Sequence, residues 1–170
     1  RNAQGDAFRI QLDLAAELGL NVVIHQRDAW DDTLAILKEY TGRLRGVYHC
    51  FGNHPDQAAE ILALNHLVSF TGIITFKNAV LAQQTATTIP ADTFMVETDC
   101  PYLAPEPFRG KRCEPAHTRL VAEKVAALRE EAMNYYNKPV AWVWHVLIDE
   151  TGEGAGTAEA EAETPAEVAD

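Results

Sequence analysis

The chain has 170 residues, 47% hydrophobic and 23% charged, enough for one domain with its own core. A net charge of −11 argues against a broad basic face for duplex DNA, although six of the acids, with no base among them, fall in residues 151–170. No apolar run reaches the roughly 20 residues of a membrane helix, and three widely spaced cysteines without a CxxC pair argue against a disulfide framework, so the expected setting is the reducing cytoplasm.

The chain opens at Arg1 and is inside a helical pattern by Asp6, from which residues upstream of Arg1 are expected. Phe8, Leu12, Ala15, Ala16 and Leu18 recur at helical period and predict a helix over 4–18, closed by Gly19. The β-branched run NVVIH predicts a buried strand at 21–25. A helix over 31–40 follows, with Leu34, Ile36 and Leu37 on or near one face, and Gly42 breaks it. GVYHCF predicts a second strand at 46–51. Pro55 suits a first helical turn, so a helix is expected over 56–64.

LVSFTG at 67–72 reads as a third strand, and a weaker helix over 79–87 ends before Pro90. TFMVE at 93–97 reads as a fourth strand. A loop over 99–115 carries four prolines, and a last helix is expected over 118–131. Beyond it, 132–150 is a divergent segment whose apolar core PVAWVWHVLI does not choose between strand and helix. Residues 151–170 read as a disordered acidic tail.

Strands starting near 21, 46, 67 and 93 are spaced as βα units. Apolar strands alternating with helices predict an α/β protein with a parallel sheet. Two architectures satisfy the spacing: an open doubly wound sheet, or part of a (β/α)8 barrel. A whole barrel takes about 250 residues, and four strands are half of one.

Side chains alternate faces along a strand. Val23 and His25 share a face, Val47 and His49 share a face, and Met95, Glu97 and Asp99 line up if the fourth strand continues. Each strand thus ends in a residue able to ligate at its C-terminal edge, where parallel α/β folds gather catalytic groups. Two imidazoles and a carboxylate suit zinc, manganese or another borderline divalent ion with an open coordination position. A single histidine at a strand end is more often a structural hydrogen-bonding residue. Three such residues at equivalent edges point to a metal site.

The blocks VVIHQRDA, YHCF with Gly52, TGIITFKNA and ETDCPYLAPEPFRGKRCEPAH, in this order over residues 1–129, resemble the signature blocks of the TatD family of metal-dependent deoxyribonucleases. The resemblance implies a TIM-type barrel, of which residues 1–131 would be the C-terminal half, and a two-metal centre. It implies His25, His49 and Asp99 as metal ligands. Asp99 and Glu97 would be the catalytic carboxylates, Glu97 acting in proton transfer or by orienting a ligand. Arg27, Lys77 and Arg109, with Lys111 and Arg112, fall after strand ends, where a phosphodiester needs donors; the first three are the phosphate-binding candidates. The family's opening His-x-His pair and its bridging Glu have no counterpart here, and the residues after Arg129 depart from its pattern. His54, His66, His117 and His145 are assigned surface or structural roles.

The expected activity is divalent-metal-dependent hydrolysis of DNA phosphodiesters by a monomer, with ends or single strands preferred because an acidic surface neutralises few phosphates. The alternatives are a D-aminoacyl-tRNA deacylase or other ester hydrolase on the same scaffold, and a truncated, non-catalytic product. The chain alone is expected to be inactive.

Overall fold

In the computed structural model, which describes residues 2–129, helix α1 (Asn2–Leu18) leads into four βα units. These are strand β1 (Val22–Ile24) with α2 (Trp30–Glu39), β2 (Gly46–Tyr48) with α3 (Pro55–Ala63), β3 (Leu67–Phe70) with α4 (Val80–Thr88), and β4 (Phe94–Val96) with α5 (Thr118–Leu128). The expectations for 132–150, for the tail 151–170 and for the end of the last helix fall outside the described residues.

Local chemistry explains the helix limits. Gly19, at φ 68°, lets the chain leave α1 in the left-handed region, and Leu20 N–H donates to the Ala15 carbonyl at 2.8 Å. Asp31 and Asp32 in the first turn of α2 and Lys38 in its last complement the helix dipole. Pro55 starts α3 without wasting a donor, and the His54 ring accepts from Asp56 N–H at 3.4 Å.

The strands lie parallel in the order β1-β2-β3-β4. A doubly wound sheet reverses direction at a switch point. Here each strand is placed beside its predecessor, which is the winding of a barrel, so the α/β class holds and the topology selects the second architecture. Ile24, Tyr48, Val68 and Phe70 share one face by register and are 3% exposed or less. They pack into one core with Leu12, Leu34, Leu37, Ile61, Ala86, Val121 and Val125 from all five helices. The opposite face begins with Val23, which is 51% exposed.

Every strand is shorter than its apolar run suggested. β2 stops at Tyr48 rather than Phe51 because Cys50 turns to φ 53° and directs its N–H to side chains instead of the ladder. The third run ends in a 3-10 turn, Gly72–Thr75, and two more, Ala91–Thr93 and Pro115–His117, flank β4 and α5; none was expected. Gly72 has a direct reason. A Cβ there would collide with the Leu103 carbonyl, so glycine lets the loop over 99–115 lie close on the end of β3.

Candidate metal centre

Main-chain bonds that outlast the strands fix the functional rim. His49 N–H donates to the Ile24 carbonyl at 2.9 Å, and Glu97 N–H to the Phe70 carbonyl at 3.0 Å. Both side chains are thereby held just past the C-terminal edge, on the face opposite the helices.

Their side chains meet. Glu97 Oε1 accepts from His49 Nδ1 at 2.8 Å, from Cys50 N–H at 3.1 Å and from the Ser69 hydroxyl. Ser69 is itself only 1% exposed. Burial pushes the Glu97 carboxyl up, but its bonds from His49 and Ser69 outweigh burial and leave it below the usual range. The Glu97 bond raises His49 above the ordinary imidazole value against the opposing effect of burial. A carboxylate on Nδ1 fixes the tautomer and turns Nε2 outward, the arrangement that typically supports a metal-binding histidine.

His49 Nε2 lies 3.5 Å from Asp99 Oδ1. An N and an O ligand at about 2.1 Å from one tetrahedral ion would stand about 3.4 Å apart. The His25 and His49 ring centroids are 5.8 Å apart and tilted by 34°. The donor chemistry and the His49–Asp99 spacing fit a divalent ion. Among the described residues, however, no three His, Cys, Asp or Glu side chains close into a finished ligand group. The rim is assembled as pairs that share His49.

Of the cationic candidates, Arg27 lines a depression of about 520 Å³ together with Gln26, Asp28, Trp30, Asn53 and Gln57. Lys77 is exposed just beyond the turn after β3, and the Arg109 guanidinium lies 4.2 Å from the Phe76 ring centroid. Among the described residues none of Arg27, Lys77, Arg109, Lys111 or Arg112 has a carboxylate at ion-pair distance, whereas Arg9, Lys38 and Arg43 are all paired. His54 caps α3, His66 is buried, and His117 stacks on Phe108 at 4.7 Å; His145 lies outside the described residues. Sequence reasoning missed Ser69. Its signal was a lone hydroxyl in the otherwise apolar strand LVSF.

A family model described as TatD related DNase matches residues 1–142. The chain belongs to this family. The metal-dependent hydrolase YabD of Bacillus subtilis (strain 168) is 44% identical over 131 residues, covering 76% of this chain and 51% of the relative. A protein of Erwinia billingiae (strain Eb661) named 3'-5' ssDNA/RNA exonuclease TatD is 37% identical over 131 residues, 74% of this chain and 50% of its own length. The crystal structure of YJJV, a TatD homolog from Escherichia coli k12, matches with a TM-score of 0.67 at 28% identity, over 72% of this chain and 47% of that one. The chain spans about half the length of the curated relatives it matches.

Proposed function

We propose that this TatD-family chain carries part of the centre of a divalent-metal-dependent hydrolase that cleaves DNA phosphodiesters, acting on ends or single strands. The observation that carries the reading is His49, oriented by Glu97 through Nδ1 and facing Asp99 through Nε2. His25, His49 and Asp99 would hold the ion. A divalent ion supplies Lewis-acid polarisation and an activated water. Glu97 keeps His49 in one tautomer and acts as an orienting carboxylate through its Oε1, which accepts three bonds. Arg27, Lys77 and Arg109, which have no carboxylate partner among the described residues, would receive phosphate oxygens. The relative named an ssDNA/RNA exonuclease supports a nucleic-acid substrate. Among the described residues no helix is long and apolar enough to cross a membrane, and Cys50, Cys100 and Cys113 are free thiols.

The chain spans half of its relatives, and the family's His-x-His pair and bridging Glu have no counterpart in it. Alone it should bind an ion weakly and not turn over. Titration of the full chain with Mn²⁺ or Zn²⁺ tests the site: uptake that is lost in His49→Ala is expected, and no uptake at millimolar ion contradicts the reading. Fused behind the front half of a full-length relative such as YabD, the chain should cleave a DNA end faster than an aminoacyl ester. The reverse order would make it an ester hydrolase. Metal-dependent cleavage by the unfused chain, abolished by His49→Ala, would contradict the expected inactivity.

A further inference from the structure

The loop that follows His25 does more than present Arg27. With the Gln26 amide in the orientation its neighbours require, its oxygen accepts from the N–H groups of Asp28, Ala29 and Trp30 at 2.9, 2.7 and 3.2 Å, and its nitrogen donates to the Tyr48 hydroxyl at 3.2 Å. Asp28 sits at φ 53° inside this knot. Trp30 is clamped in turn by Tyr48 and Phe51, with ring centroids 5.6 and 6.4 Å away. The loop is therefore braced on its inner side and open on its outer side.

The outer side is the depression of about 520 Å³. Its size lies within the roughly 300–1,000 Å³ usual for small-molecule sites. Asn53 and Gln57, from the stretch after His49, form the far wall. Thr85 Oγ1 pins the Asn53 carbonyl at 2.7 Å, yet among the described residues the Asn53 side-chain amide makes no hydrogen bond. Gln57 spends only its Oε1, in a 3.4 Å bond from His54 N–H, and keeps its NH₂. Two side-chain amides, an indole and a guanidinium without a carboxylate partner among the described residues thus line one space, which begins one residue along the chain from His25.

We propose that this pocket receives a nucleobase: that of the nucleotide adjoining the phosphate held at the rim. Carboxamides match the paired donors and acceptors of base edges, the Trp30 indole adds apolar contact to the same space, and Arg27 can hold the phosphate as a planar fork. Asp28 adds an acceptor for an exocyclic amino group. The inference deepens the phosphodiesterase reading and rests on it, but its test needs neither metal nor turnover.

The full chain is titrated in chelator with deoxyadenosine 5'-monophosphate and, separately, with 2-deoxyribose 5-phosphate. The nucleotide should bind about tenfold tighter, the discrimination of one good amide–base contact. The double variant Asn53→Ala, Gln57→Ala should bring the nucleotide down to the sugar phosphate and leave the sugar phosphate unchanged. Asn53→Leu, which keeps the side chain's size without its polar atoms, should weaken only the nucleotide, and Arg27→Ala should weaken both probes alike. Equal affinity of the native chain for the two probes overturns the proposal, as does a double variant that loses both equally. Base discrimination absent while ion uptake persists sinks the pocket alone; ion uptake absent while discrimination persists sinks the metal centre alone.

Discussion

The two faces of the four-stranded sheet come from alternate residues of the same strands, yet their side chains meet different fates. Toward the helices, Ile24, Tyr48, Val68 and Phe70 are sealed in a continuous apolar core. Toward the other side, Val23 is half exposed, Ser69 is buried and donates to the Glu97 carboxylate, and the next residues outward are His25, His49 and Glu97. The helix-facing side holds the chain together. The opposite side holds functional groups at the strand ends. Because strand side chains have a period of two, a slip of one residue would exchange these roles.

The comparison can be broken most forcefully from the core. Phe70→Ala should cost about 3–5 kcal/mol in urea unfolding, since a buried aromatic leaves a cavity the sheet cannot close; a loss below 1 kcal/mol would mean that this face is not the core described. Next in size, Glu97→Ala should lower divalent-ion affinity about 10–100-fold by releasing His49. Calorimetry with the ion reads this directly, and unchanged affinity would deny Glu97 its orienting part.

The same pair sharpens the contrast through pH. His49 is raised, chiefly by its bond to Glu97, so its contribution is fully present below the ordinary imidazole value near 6.5 and fades as pH rises through its folded value. Glu97 is lowered despite burial, so its contribution is present above the ordinary carboxylate value near 4.3 and fades as pH falls through its folded value. In chelator the two together should give most stability between about pH 4.3 and 6.5, a hump that Glu97→Ala removes. Identical pH profiles for the native chain and the variant would contradict the pairing. The smallest effect belongs to Val23→Thr, which at 51% exposure should move stability by no more than about 0.5 kcal/mol in the same urea assay.

Much of this arrangement was legible in the residues. NVVIH, GVYHCF, LVSFTG and TFMVE mark strands because β-branched and aromatic runs bounded by Gly, Asn and Pro have few other uses. Alternation then grouped His25 with Val23, His49 with Val47 and Glu97 with Met95, each at or just past the end of its strand. Strand ends were not legible, because Cys50 looks like a continuing apolar residue until its N–H is seen turning to Glu97. The choice between a doubly wound sheet and a barrel was closed to spacing as well, since both use units of the same length and differ only in which strands are neighbours. Ser69 and Glu97 lie 28 residues apart, so no local pattern announces their bond. The Asn53–Gln57 wall was hidden for the same reason: its partners arrive from another βα unit.

The central claim is that His25, His49 and Asp99 serve one rim and can share an ion. Substoichiometric Mn²⁺ added to the isotope-labelled full chain tests it, because paramagnetic broadening falls off steeply with distance. The imidazole signals of His25 and His49 and the signals of Asp99 should broaden together, at the same ion concentration. Broadening of His49 and Asp99 with His25 left sharp would contradict the shared site.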